Sequence, residues 1–224
     1  MNEKQFWYIA CESHELKKEK PLSATILNEW VVLFRDANNK PVALQDRCLH
    51  RSARLSSGFL KEGNLVCPYH GWKYNSQGEV SEIPSEAQAG RKRCSVKYKV
   101  IEQDNYIYVQ LKESPVQPFK MPRYQDNGYT TIRLQNVFEN SVTNCVENFL
   151  DIPHTTFVHP TIFRNVRRQK MGAIVERNYG HVKATYIDEK SDFGIFSWFL
   201  NPKKMTVVHT DEFYMPNVST VNYW

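Results

Sequence analysis

Two short stretches of this 224-residue chain each place a cysteine close to a histidine. One residue separates Cys48 from His50, two separate Cys67 from His70, and sixteen lie between the two stretches. Thiolates and imidazoles both bind zinc and iron, so the four side chains could share one metal centre. Structural zinc sites usually pair cysteine with cysteine and histidine with histidine, whereas each stretch here is mixed. A structural zinc site is therefore the alternative interpretation, and an iron centre is favoured.

The residues around these four positions resemble the Rieske [2Fe–2S] family. The two segments read C-L-H-R from Cys48 and C-P-Y-H-G-W from Cys67. In a Rieske cluster two cysteines hold one iron and two histidines hold the other, and the neutral imidazoles raise the reduction potential above that of an all-cysteine cluster. The resemblance implies that Cys48, His50, Cys67 and His70 hold such a cluster on a small β-sandwich. Neither segment has the extra cysteine of respiratory Rieske proteins, so the chain is similar to the ferredoxin and oxygenase branch.

The second half of the chain contains another group of candidate metal ligands. Asn148 is followed by Asp151, His154 and His159 in the pattern D-x-x-H-x-x-x-x-H. Two histidines and a carboxylate on one face of Fe(II) leave positions open for O₂ and substrate. The alternative is a capped helix end that carries two histidines by chance.

This pattern resembles the mononuclear-iron motif of Rieske non-heme iron oxygenases. The resemblance implies that His154 and His159 bind Fe(II). It also implies that Asp151 hydrogen-bonds one histidine of this site and one of the Rieske cluster in a neighbouring subunit. Asn148 matches a family position near the iron, with a minor role.

The third iron ligand of that family is an aspartate far downstream. Only 65 residues follow His159. Asp188, Asp192 and Asp211 lie in contexts that fit ordinary surface acids, so none is assigned as a ligand. We interpret the chain as incomplete, ending before the last helix of the catalytic domain.

The elements that would hold the first site are predicted to be strands. Short runs rich in β-branched and aromatic residues, bounded by turn residues, indicate strands at 6–10, 30–35, 41–45 and 106–111. Such a series is typical of a β-sandwich or barrel. Two prolines in the segment 114–118 indicate an extended linker, which gives predicted domains at residues 1–113 and 114–224.

After the linker the pattern becomes mixed. We expect a strand at 130–137 and then a helix capped by Asn140 or Ser141, which Pro153 ends or breaks. Strand-like segments return at 182–187, 195–200, 205–209 and 218–224. The predicted fold class is α+β: an all-β Rieske domain followed by an incomplete helix-grip-like catalytic domain.

Composition excludes several classes of protein. Hydrophobic residues make up 41% and charged residues 24% of the chain, and no apolar run reaches the ~20 residues of a membrane span. The N-terminus lacks a signal pattern, so we expect a cytoplasmic protein.

Five cysteines do not suggest a disulfide framework, and we expect the three outside the metal motif to be buried or half-buried: Cys11, Cys94 and Cys145. The net charge is +5, and the sequence contains no recognised nucleic-acid-binding motif. We therefore interpret the basic stretches as solvated loops, or alternatively as a docking surface for an acidic redox partner.

The resemblance implies a terminal oxygenase component, similar to the monooxygenase and O-demethylase side of the family. An electron from a ferredoxin or flavin reductase would enter the cluster and pass through Asp151 to the mononuclear iron. One or two oxygen atoms from O₂ would then enter an aromatic, alicyclic or polycyclic substrate, in a homotrimer. The alternative function is an electron carrier or a vestigial protein without oxygenase activity.

Overall fold

The computed structural model describes most of the chain, namely residues 2–85, 93–151, 154–158, 172–187, 198, 203 and 208–223. Contacts divide it into two compact units, Met1–Thr131 and Ile132–Trp224. The proline-containing segment stays with the first unit, because the Trp7 indole donates a hydrogen bond to the Val116 carbonyl at 2.7 Å. The predicted domain boundary between residues 113 and 114 stays a prediction.

The main regular elements of the first unit are antiparallel strands. Its elements are the strands β1 Trp7–Glu12, β2 Leu22–Ile26, β3 Glu29–Arg35, β4 Pro41–Gln45, β5 Phe59–Lys61, β6 Asn64–Val66, β7 Lys73–Tyr74, β8 Val80–Glu82, β9 Lys97–Gln103 and β10 Tyr106–Gln110, with short 3-10 helices at Glu3–Gln5 and Leu55–Ser57. Six strands form a sheet in the order β1-β10-β9-β4-β3-β2, and four form a second sheet in the order β5-β6-β7-β8. The four strand regions named above for this half of the chain are confirmed.

Strand β3 is buried on both faces and divides the core into two clusters. Val32 and Phe34 point into one cluster, and Val31 and Leu33 into the other, as the alternation of side chains along a strand requires. The first cluster also contains Leu65 and Tyr74 from the smaller sheet, together with Cys48 and Cys67. The two predicted ligand thiols therefore lie in the core where the two sheets meet.

The described residues of the second unit form two short helices and a four-stranded antiparallel sheet. The elements are α1 Val142–Leu150, α2 His154–Val158, β11 Gly172–Asn178, β12 His181–Ile187, β13 His209–Tyr214 and β14 Val218–Tyr223, with the strands adjacent in chain order. The predicted helix cap is confirmed at Ser141, whose side chain accepts a hydrogen bond from the Asn144 backbone N–H at 3.2 Å. No helix in the described ranges is long and apolar enough to cross a membrane.

The strand predicted at 130–137 is wrong. This segment is described throughout and has no strand structure. Ile132, Leu134 and Val137 are more than 80% exposed. Because strand preference depends on a paired and partly buried surface, an apolar alternation without that surface does not make a strand. The segment predicted at 195–200 lies outside the described residues except for Trp198, and that at 205–209 except for its last two positions.

Candidate metal centre

Two loops of matching backbone geometry carry the predicted cluster ligands. In the first, the Cys48 N–H donates to the Ala53 carbonyl at 2.8 Å and the Cys48 carbonyl accepts from the Ser52 N–H at 2.9 Å. In the second, the Cys67 N–H donates to the Trp72 carbonyl at 2.8 Å and the Cys67 carbonyl accepts from the Gly71 N–H at 3.1 Å. In both loops the cysteine N–H thus bonds to the residue five positions later, and the cysteine carbonyl bonds to the residue four positions later.

The fifth residue of each loop has a left-handed backbone. Ser52 has φ = 58° and Gly71 has φ = 71°. A Cβ at residue 71 would also lie 3.1 Å from Cγ of Pro84, so glycine suits this position for two reasons. The turns aim the histidines, which stand at the third position of the first loop and the fourth of the second.

The two cysteine sulfurs are buried and lie next to hydrogen-bond donors. The Tyr74 hydroxyl donates to Cys48 Sγ at 3.3 Å and accepts from the Leu49 N–H at 2.9 Å. Burial raises the pKa of the Cys67 thiol, the neighbouring Cys48 thiol raises it further, and the backbone N–H groups of Tyr69 and His70 act in the opposite direction. Donors aimed at sulfur fit thiolates that carry negative charge when they bind iron.

The two histidine rings are exposed and present the same nitrogen to each other. Nδ1 of His50 lies 3.1 Å from Nδ1 of His70. The His50 ring stacks on Trp72 with an interplanar angle of 3° and centroids 5.1 Å apart, and the Tyr69 ring lies 4.0 Å from that of His70. The rings are therefore held with both Nδ1 atoms towards one point, where they could share one iron.

The electrostatic surroundings favour a neutral His50. Desolvation by the surrounding protein lowers the pKa of His50, and the neighbouring His70 ring and the charges of Arg51 and Arg93 lower it further. A histidine must be neutral to bind a metal, so this direction suits a ligand.

The four side chains are arranged as a thiol pair and an imidazole pair. Within the described part of the chain, no group of three or more His, Cys, Asp or Glu side chains is arranged to hold one metal ion. Each iron of a Rieske cluster takes only two protein ligands, whereas a tetrahedral zinc ion needs four around one point. The pairing fits a two-iron cluster with its cysteine side in the core and its histidine side at the surface.

A buried carboxylate that sequence reasoning missed supports the first loop. Asp46 is fully buried and accepts hydrogen bonds from Arg54 Nε at 2.7 Å and from the N–H and hydroxyl of Ser56 at 2.7 and 2.6 Å. The Arg54 guanidinium also lies over the Trp30 ring, 4.2 Å from its centroid, and donates to the Ser23 hydroxyl at 2.8 Å. The available signal was an acidic residue two positions before a ligand cysteine, in a loop otherwise rich in arginine.

The second predicted site is described only in part. Helix α1 ends at Leu150, Asp151 caps it through its N–H to the Glu147 carbonyl at 3.0 Å, and α2 begins at His154. Nδ1 of His154 contacts the Asp151 backbone carbonyl and lies 3.9 Å from Asp151 Oδ2. Asn148 is exposed on α1. His159 lies outside the described residues, so the iron-binding pair is not observed together.

Two further sequence expectations need correction. Asp211 is not a surface acid: it is 1% exposed, accepts from Tyr186 at 3.2 Å and lies 3.0 Å from Nε2 of His209. Its position in β13 places it between Ala184 of β12 and Val221 of β14. Cys94 is exposed, whereas Cys11 is buried and Cys145 half-buried as expected. Asp188 and Asp192 lie outside the described residues.

Comparison with known proteins agrees with this arrangement. Residues 6–110 match the Rieske [2Fe-2S] domain family. The chain is 32% identical over 201 residues to TsaM1, the iron-sulfur subunit of the toluene-4-sulfonate monooxygenase system of Comamonas testosteroni. The aligned region covers 87% of this chain and 55% of TsaM1. It thus spans about half the length of that relative.

Solved structures have the same fold. Dicamba monooxygenase bound to 3,6-dichlorosalicylic acid is 23% identical, with a TM-score of 0.83 over 99% of this chain and 67% of that one. NdmA of Pseudomonas putida CBB5 with caffeine is 25% identical, with a TM-score of 0.79 over 97% of this chain and 64% of that one. The predicted fold class, an all-β domain followed by an α+β part, is confirmed. Domain match and relatives agree: the chain carries a Rieske [2Fe-2S] domain and is similar to the iron-sulfur subunit of a monooxygenase system.

Proposed function

We propose that this chain is the cluster-bearing part of a terminal oxygenase, with Cys48 and Cys67 on one iron and His50 and His70 on the other. The observation that carries the proposal is the separation of the four donors into a buried thiol pair and an exposed pair of Nδ1 atoms 3.1 Å apart. A bound [2Fe–2S] cluster would store and release one electron at a time.

Each group of residues then has a separate task. Tyr74 and the backbone N–H groups of the second loop stabilise negative charge on the sulfurs. The stacking of Trp72 fixes the orientation of His50 at the surface, where an electron donor can approach. The core residues around the thiols exclude water from the cysteine side.

Metal analysis tests the cluster ligands. We expect the full chain to bind iron and inorganic sulfide with the absorption of a Rieske centre, and Cys67→Ser to lose both. Cys94→Ser is the matched control, because Cys94 is exposed and lies outside both loops. Stoichiometric zinc without sulfide in the wild-type chain would contradict the proposal.

We infer that a second, mononuclear iron binds His154 and His159. The closeness of Asp151 to Nδ1 of His154 supports this, because a carboxylate beside a ligand histidine fixes its orientation. In the proposed assembly, Asp151 would also face a cluster histidine of a neighbouring subunit in a homotrimer. Asn148 would have a minor role near the iron.

Iron content separates the oxygenase from the alternative electron carrier. About three irons per chain would support the oxygenase, whereas about two, with no O₂ consumption, would support the carrier.

Single-turnover kinetics test the role of Asp151. Asp151→Asn keeps the size of the side chain and removes its charge, so with substrate present the reduced cluster should be oxidised by O₂ much more slowly, while the iron content stays unchanged. A rate equal to that of the wild-type chain would contradict the bridging role.

The proposed substrate is a small ring-containing organic molecule. The support is chemical: TsaM1 belongs to a toluene-4-sulfonate monooxygenase system, and the two solved structures hold 3,6-dichlorosalicylic acid and caffeine. The proposed electron donor is a ferredoxin or flavin reductase, and the proposed location is the cytoplasm. Coupled O₂ and NADH consumption with a panel of such aromatic and heteroaromatic compounds tests the substrate class.

A further inference from the structure

A positive side chain lies beside the proposed cluster without belonging to either cluster loop. The Arg93 guanidinium carbon lies over the Trp72 ring, 5.1 Å from its centroid. The same ring stacks on His50, also with centroids 5.1 Å apart. One indole thus links a cation to a proposed iron ligand.

The backbone holds Arg93 in place independently of the cluster loops. Its carbonyl accepts from the Val80 N–H at 2.9 Å, and the next residue, Cys94, forms an antiparallel bridge with Glu79. Ser95 N–H then donates to the Gly78 carbonyl at 2.8 Å. These bonds run along the edge of the smaller sheet, so they fix the backbone from which the Arg93 side chain extends to Trp72.

The field of this charge reaches the histidine side of the site. Arg93 is half-buried, and half-buried charges are screened by salt less than exposed ones. Arg51, which belongs to the first cluster loop, is exposed, so salt screens its charge more strongly. Arg93 is therefore the less screened of the two.

We propose that Arg93 is a positioning residue that sets the reduction potential of the Rieske cluster by electrostatic stabilisation of its reduced form. The inference depends on the cluster ligands proposed above. Reduction adds one electron, supplied by the donor, and makes the cluster one unit more negative. A cation nearby stabilises that state more than the oxidised one, and Arg93 and His50 both pack on the Trp72 ring.

A redox titration of the full chain followed by the EPR signal of the reduced cluster tests this proposal. For Arg93→Gln we expect an approximately tenfold decrease in the reduction equilibrium constant, about 59 mV for a one-electron couple. Arg93→Lys keeps the charge and should stay close to the wild-type potential. Iron and sulfide contents should be unchanged in both variants.

Arg123→Gln is the matched control. Arg123 also lies over an aromatic ring, with its guanidinium carbon 5.2 Å from the Tyr129 centroid, but that ring belongs to neither cluster loop. Its potential should equal that of the wild-type chain.

Three results would overturn the assignment. Equal reduction potentials for Arg93→Gln and Arg123→Gln would show that the charge of Arg93 does not affect the cluster. A decrease in Arg93→Lys as large as that in Arg93→Gln would show that stacking, and not charge, is responsible. Cluster loss from Arg93→Gln would show a structural role. Absence of a cluster from the wild-type chain contradicts the proposed ligands instead, so the two failures are distinguishable.

Discussion

At the scale of single residues, the proposed centre depends on side chains that are distant from the ligands in sequence. Tyr74 donates to a sulfur 26 positions earlier in the chain, and the cysteine pair and the histidine pair each join the two loops. The ligand types and their spacing are local and were readable from the sequence. The supporting residues were not, because nothing in the sequence around a strand-end tyrosine specifies which sulfur it will meet.

Tyr74→Phe should lower the reduction potential of the cluster. The lost hydrogen bond to Cys48 Sγ stabilises the more negative, reduced state by about 1–2 kcal/mol. That energy corresponds to a roughly tenfold change in the one-electron equilibrium, or about 59 mV. A redox titration measures it, with Tyr98→Phe as the control, since Tyr98 is buried in the other core cluster. An equal potential in the two variants would contradict a role for this hydrogen bond.

At the scale of elements, polar networks attach the loops to the strands. Asp46, Arg54 and Ser56 fix the first cluster loop, and Arg54 continues to β2 and β3 through Ser23 and Trp30. Such networks cross between strands that are far apart in sequence. The helix cap at Ser141 was predictable because its partner is three residues away, whereas the missing strand at 130–137 was not, because strand formation needs a distant partner.

Arg54→Ala should weaken retention of the cluster. The change leaves the buried Asp46 carboxylate without its ion-pair partner, at a cost of about 2–3 kcal/mol, because Ser56 still donates to it and Arg54 is one-third exposed. The urea concentration at which the cluster absorption is lost should decrease. The control Arg123→Gln, which also removes an arginine above an aromatic ring, should leave it unchanged. Equal midpoints in both variants would contradict the supporting role.

The ion pair of Arg35 with Glu102 should make stability depend on acid pH. Arg35 donates to both carboxylate oxygens of Glu102, at 2.8 and 2.9 Å, and this contact lowers the pKa of Glu102 from its ordinary value of 4.5. The stabilisation is therefore present above 4.5 and is lost as the pH falls through the lower folded-state pKa.

Glu102→Gln should be less stable than the wild-type chain at neutral pH, and the difference should decrease as the pH falls below 4.5. Thermal unfolding at a series of pH values measures this. Glu113→Gln is the control, because that carboxylate is 78% exposed in its contact with Lys99. A constant difference between Glu102→Gln and the wild-type chain across this range would contradict the linkage.

At the scale of the whole molecule, the two units were predictable to different extents. The first unit carries both cysteine–histidine motifs and its strand pattern agrees with what the sequence implied, while the assignment of the four side chains as cluster ligands stays a proposal. In the second unit, Asp211 was misjudged because its burial depends on the register of β13 with β12, which brings Tyr186 opposite His209. The residue types of one strand do not show how it pairs with its neighbours, and therefore do not show which of its side chains become buried.

The most direct test of the account is pulsed EPR of the dithionite-reduced full chain. The central claim is that one iron of a [2Fe–2S] cluster takes its two protein ligands from His50 and His70, whose Nδ1 atoms lie 3.1 Å apart. We expect a Rieske-type signal with couplings from two directly bound imidazole nitrogens, and loss of that signal in His70→Ala. A reduced cluster without directly bound nitrogen, or no paramagnetic cluster in a chain loaded with iron and sulfide, would contradict it.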